Sequence, residues 1–237
     1  MSDTHTHAHT PLRAVVFDFD GTLVDSLPLV LRAITHAIEP FGPRPSMDIF
    51  AKLGGPPERF LPGLIEDARH VPAAIARMGD YHARHQDQIR PFDGVEIVLR
   101  QLRDAGLRLA VWTGRDRATT ELLIAEHGLG EHFAIVVCGD DLPTHKPDPE
   151  GLREILARLG VPPAEALMVG DADVDVLGAA ACGVPAVLIR HGRIVEAGVR
   201  ARAWRVVTSP HEAFELLLER ANESRDDGEF AIAAARK

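Results

Sequence analysis

Two aspartates one residue apart, Asp18 and Asp20, close the apolar run Ala14-Val15-Val16-Phe17 and lead into Gly21-Thr22. Carboxylates this close repel unless a proton or a cation separates them, so the pair implies something positive beside it. The run before them reads as a buried parallel strand, which places both at its carboxyl end, where open α/β sheets bind ligands. An Asp-Gly turn alone would explain part of the pattern. A calcium loop would not. It needs oxygen donors at alternate positions, then Gly and a distal Glu, and the similar stretch Asp171-Ala172-Asp173-Val174-Asp175 has Val176 and Cys182 where those belong.

Three later apolar runs end in the same way. Leu107 to Trp112 delivers Thr113-Gly114-Arg115, a hydroxyl, a glycine and a cation, at a strand exit that could equally be a helix N-cap. Lys146 precedes Pro147-Asp148-Pro149, a stiffened turn that opens a helix predicted over 150–159. Ala166 to Val169 runs into Gly170-Asp171, with Asp175 four residues on. A helix starting near Asp171 would put Asp171 and Asp175 on one face, a spacing that destabilises unless a cation lies nearby.

These four segments, in this order, resemble the signature motifs of the haloacid dehalogenase superfamily in its phosphatase branch, over residues 12 to about 208. The resemblance implies a fold and a division of labour. Asp18 matches the nucleophile that takes the phosphoryl group, and Asp20 the acid/base that protonates the leaving oxygen and then activates water. Thr113 and Lys146 match the groups that hold the phosphate, with Gly114 and Arg115 beside them on the substrate. Asp171 matches the side-chain Mg²⁺ ligand, alongside Asp18 and the main-chain carbonyl of Asp20. Asp175 matches an acidic position that supports the metal or orients Lys146. Positioning and charge neutralisation are what phosphoryl transfer needs, and these residue types supply both.

Within the superfamily, carbon–halogen hydrolases lack an aspartate two residues after the nucleophile, and phosphonate hydrolases have a small residue there; Asp20 points to phosphoesters. Members similar to β-phosphoglucomutase carry a histidine ten residues after the acid/base, where this chain has Val30. The expected activity is Mg²⁺-dependent hydrolysis of a small phosphomonoester resembling phosphoglycolate. Sugar-phosphate or nucleotide phosphatase and mutase are the alternatives, and a phosphoryl-accepting receiver domain is the non-enzymatic one. Its aspartate lies later in the chain and it has no insertion like that at 26–90. Many phosphatases acting on phosphoglycolate resemble an Asn-Lys pair where Gly114 and Arg115 stand, and Ser or Thr is common at Ala172; these departures bear on the substrate.

The elements needed to position such groups can be read around them. Strands are predicted at 14–18, 107–112, 134–138, 166–169, 186–190 and 204–207, mostly separated by helical periods, which makes a doubly wound parallel sheet. Helix-period apolar residues from Leu27 to Ile38 and again from Ala74 to Ile89 carry no strand, so 26–90 reads as an inserted α-helical cap. The core is then 11–25 and 91–220, joined to the cap by hinges at Val24 to Pro28 and Arg90 to Gly94. Residues 1–10, with His5, His7 and His9, and 221–237 read as flexible tails, the second a frayed helix or tail. In the cap, Lys52 and Arg59 flank Gly54-Gly55-Pro56-Pro57 and could bind a carboxylate on the substrate.

The 237 residues carry 35 acidic and 26 basic side chains, a net charge of -9, which offers no field for nucleic acid. No apolar run approaches the roughly 20 residues of a membrane span. Cys138 and Cys182 lie beside apolar runs and are expected to pack unpaired. The expectation is a cytoplasmic enzyme, monomer or homodimer, whose partner is a small-molecule phosphoester.

Overall fold

Ala14–Phe17 (β1) has no polar side chain and is buried throughout, because both faces of the sheet at this strand are covered. Alternation along the strand sends Val15 and Phe17 into one apolar cluster and Ala14 and Val16 into another. The computed structural model describes residues 10–46, 49–50 and 56–235, with side chains through Ser224. The other strands are Arg108–Trp112 (β2), Ile135–Val137 (β3), Ala166–Gly170 (β4), Ala186–Ile189 (β5) and Arg205–Val207 (β6), in the order β3-β2-β1-β4-β5-β6. Every pairing is parallel. The chain leaves β1 toward β2 and β3 on one side and returns to β4 on the other, so the switch point lies at the carboxyl end of β1.

Between β1 and β2 the chain makes Leu27–Ile38 (α1), the single turn Pro57–Phe60 (α2), Val71–His85 (α3) and Val95–Asp104 (α4). Of these, α1 and α3 pack on each other around their own apolar cluster, which includes Ile34, Ile38, Leu61 and Met78. These helices occupy the stretch, 26–90, that the sequence reads as an inserted helical cap. Its two connections to the core lie side by side: Asp25 N–H donates to Arg90 O at 2.8 Å and Phe92 N–H to Leu23 O at 3.0 Å.

The remaining helices are Arg117–Glu126 (α5), Glu150–Leu159 (α6), Asp173–Cys182 (α7), Ala197–Arg200 (α8) and Pro210–Ala235 (α9). Two differ from expectation. The segment from 221, expected to fray, continues α9, and its first turn packs through Ala221 while Leu12 N–H donates to Ser224 Oγ at 3.1 Å. The helix after β4 begins at Asp173, two residues past Asp171, because Ala172 is extended (φ -102°, ψ 154°) and takes the N-cap position. Asp171 therefore stands before the helix. His5, His7 and His9 lie outside the described residues.

Candidate active site

The loops after β1, β2 and β4 meet at the switch point and bring Asp18, Asp20, Thr113, Gly114, Arg115, Lys146, Asp171 and Asp175 to the wall of one cavity of about 370 Å³. Asp18 and Asp171 each follow a fully buried strand, while Lys146 comes from the turn before α6 and reaches across. Its Nζ donates to Asp18 Oδ1 at 2.8 Å and to Asp175 Oδ1 at 2.6 Å, and stands 4.9 Å over the Trp112 ring. Burial disfavours the ammonium, but Asp175 and Asp18 outweigh it and raise the Lys146 pKa. Asp175 also accepts from Ala172 N–H at 3.0 Å. The turn, and not a shared helix face, is what brings Asp171 and Asp175 together.

Asp20 is held apart from that cluster. Arg115 Nε and Nη2 donate to its two oxygens at 3.0 and 2.5 Å, and Ser26 Oγ donates at 2.5 Å, so the N-cap hydroxyl of α1 is used on the core and not on its own helix. Burial pushes the Asp20 pKa up, but Arg115 and Ser26 prevail and hold it below its ordinary value. Arg115 Nη1 lies 3.1 Å from His82 Nε2 of α3, joining the cap to the core. Burial, and then Arg115, push the His82 pKa down.

Oxygens of Asp18, Asp171 and Asp175 all lie within 4.8 Å of one another. With Lys146 as their one ion-pair partner among the described residues, the three carry an excess of two negative charges. A divalent cation balances that, and an all-oxygen donor set with room for water and substrate suits Mg²⁺. The excess shows in the ionisation. Burial, with Asp175 and Asp20 adding to it against the pull of Lys146, raises Asp18 to about 7, and burial with Asp18 and Asp175 puts Asp171 well above the ordinary carboxylate range. A folded pKa above the unfolded one gives stability that is complete below the unfolded pKa and is lost as pH rises through the folded one, about 7 for Asp18. A Mg²⁺ ion bound by these carboxylates would replace those protons, so stabilisation by added Mg²⁺ should be larger at pH 8 than at pH 6. Thermal melts with and without Mg²⁺ at the two pH values check this; equal increments contradict it.

The family model for haloacid dehalogenase-like hydrolases matches residues 15–189, which contain all of these loops. The chain belongs to this family. A protein of Cupriavidus necator with the name "Phosphoglycolate phosphatase, plasmid" is 34% identical over 218 residues, 88% of this chain and 94% of that one. Pyrophosphatase PpaX of Halalkalibacterium halodurans is 30% identical over 181 residues, 75% and 83% of the two chains. Among solved structures, a hydrolase from Pseudomonas syringae superposes with a TM-score of 0.75 at 25% identity, over 88% of this chain and 99% of that one.

As a haloacid dehalogenase-like hydrolase, the chain differs from its sequence-based reading mainly in the cap. Arg59 is exposed and is not among the residues that line the cavity, because the turn of α2 directs Pro57 and Phe60 inward and Arg59 outward. Lys52, with Gly54 and Gly55, lies outside the described residues. Arg115, expected on the substrate, spends its guanidinium on Asp20. Ser26, His82 and two residues after β5 were not singled out. His191 Nε2 lies 2.6 Å from Gly21 O, and Arg193 reaches Asp171 O at 3.0 Å and Asp173 at 2.6 Å, tying the β5 loop to the other two. That loop turns through positive φ at His191 (45°) and Gly192 (81°); the glycine is visible in the sequence, but the reach of His191 and Arg193 to the other loops is not.

Proposed function

We propose that this haloacid dehalogenase-like hydrolase is a Mg²⁺-dependent phosphatase that cleaves a small phosphomonoester through an acyl phosphate on Asp18. The enzyme is a phosphoric monoester hydrolase. One observation carries the mechanism: three buried carboxylates cluster at the switch point of a parallel sheet, two of them paired with the Lys146 ammonium.

An Asp18 carboxylate oxygen attacks phosphorus in line, forming the acyl phosphate as the bond to the leaving oxygen breaks. Asp20 gives that oxygen its proton. Thr113 Oγ1 and Lys146 Nζ hold the oxygens of the moving phosphoryl group, and Asp175 keeps Lys146 aimed. Water then attacks the same phosphorus, Asp20 takes its proton, and phosphate leaves with Asp18 restored. The Arg115 and Ser26 contacts hold Asp20 as the carboxylate required in this second half. For the first half, Asp20 must take up a proton and leave Arg115. Asp18, Asp171 and the main-chain carbonyl of Asp20 would hold Mg²⁺, which would supply charge neutralisation there when bound.

The relatives' names make phosphoglycolate the first ester to assay, and phosphate release from a panel of small phosphoesters with Mg²⁺ tests the activity. No release from any of them overturns it. Since Arg59 faces away from the cavity, Arg59→Ala should hold kcat/KM on phosphoglycolate within about twofold, as surface changes usually do. A tenfold loss confined to carboxylated esters would restore Arg59 as a substrate reader. No helix among the described residues is long and apolar enough to cross a membrane. Both cysteines are free, which supports placing the enzyme in the reducing cytoplasm.

A further inference from the structure

The cavity changes character along its length. At the sheet end stand the carboxylates, Thr113 and Lys146; at the cap end the wall is Val30, Phe50, Phe60, Ile75 and Met78, with Leu27 at the join. Val30, Phe60 and Ile75 belong to the edge of the cluster between α1 and α3, so this wall is the inner face of the cap and is fixed by its packing. The polar side chains that the cap adds among the described residues are His82 and Gln86. Burial and then Arg115 push the His82 pKa down, which disfavours its charged form. In the ligand-free structure the two cations of the wall are paired at its sheet end, Lys146 with Asp18 and Asp175 and Arg115 with Asp20.

A phosphoester bound with its phosphoryl group at Asp18 must lay its leaving group along this wall. A second carboxylate laid along this apolar wall would give up its water for carbon side chains, which is costly. A cavity of about 370 Å³ is also roomy for a two-carbon acid, since pockets of roughly 300 Å³ and above hold ligands of drug size. Resting on the phosphatase reading above, we propose that the preferred substrates are phosphomonoesters of bulky, uncharged, apolar alcohols, branched or cyclic, whose carbon skeleton packs on Val30, Phe60, Ile75 and Met78.

The test compares kcat/KM of the Mg²⁺-loaded enzyme on ethyl, isopentyl and cyclohexylmethyl phosphate and on 2-phosphoglycolate. The three alkyl esters leave as primary alcohols of similar acidity, so differences between them report the pocket and not the chemistry of the leaving oxygen. The expected result is a rise of at least about tenfold from ethyl to cyclohexylmethyl phosphate, mostly in KM, with both branched esters above phosphoglycolate. Phe60→Ala and, separately, Ile75→Ala should flatten the alkyl series, and Phe60→Leu should restore part of the slope. A flat series in the wild type, or phosphoglycolate as the best of the four, overturns the proposal while leaving the phosphatase intact. No phosphate release from any of the four overturns both.

Discussion

Asp18→Asn should lower phosphate release by at least ~10³-fold while the protein stays folded, as removal of a nucleophile does. The amide keeps the shape of the side chain and can still accept a hydrogen bond from Lys146 at the position of Oδ1. It lacks the carboxylate oxygen that forms the acyl phosphate. Stability should not fall with activity, because the native carboxylate is buried and raised to about 7, and a neutral group in its place removes part of the repulsion with Asp175 and Asp20. Phosphate-release kinetics beside a thermal melt separate the two effects. Turnover near wild type would sink the acyl-phosphate mechanism, and an unfolded variant would show the carboxylate to be structural.

Excess chelator should abolish activity and Mg²⁺ should restore it. The argument is one of charge: Asp18, Asp171 and Asp175 exceed Lys146 by two, and an incoming phosphate ester adds more negative charge to the same space. Without a divalent cation the substrate meets net repulsion where it must come into van der Waals contact with Asp18. Ca²⁺ should substitute poorly, since its longer and looser coordination moves the attacking carboxylate off the line to phosphorus. Asp171→Asn should weaken the Mg²⁺ requirement's midpoint, read as a higher Mg²⁺ concentration for half-maximal rate. Full activity in excess chelator would contradict the metal assignment.

Both predictions draw on residues that are legible without a structure. An apolar run that ends in Asp-x-Asp-Gly, and another that ends in Gly-Asp, announce strand ends, because β-strands buried on both faces admit almost nothing polar and the first carboxylate must stand where cover stops. Leu27 to Ile38 announces a helix by period, and 150–159 by its proline entry and Gly160 exit. These are local rules, and they carry from the chain to the elements without knowledge of what packs against what.

The pairings follow a different logic. That Arg115 bonds Asp20, 95 residues away, depends on how far β2 extends past β1, and a residue type beside a strand end does not encode that offset. Arg59 shows the same limit in reverse: a cation next to a glycine-proline loop reads as a ligand for substrate, but a single turn of helix, α2, decides which of Pro57, Arg59 and Phe60 faces inward. The capping position of Ala172 moved the start of α7 by two residues, which a propensity rule cannot resolve. The sequence by itself determined the strands, the helical stretch between the first two of them and the identity of the charged groups at the strand ends, because burial and periodicity are written residue by residue. Only the tertiary structure decided that Arg115 and Lys146 are already paired and that the cap turns an apolar wall toward them. Those outcomes rest on distances between elements far apart in the chain, and such distances are set by packing.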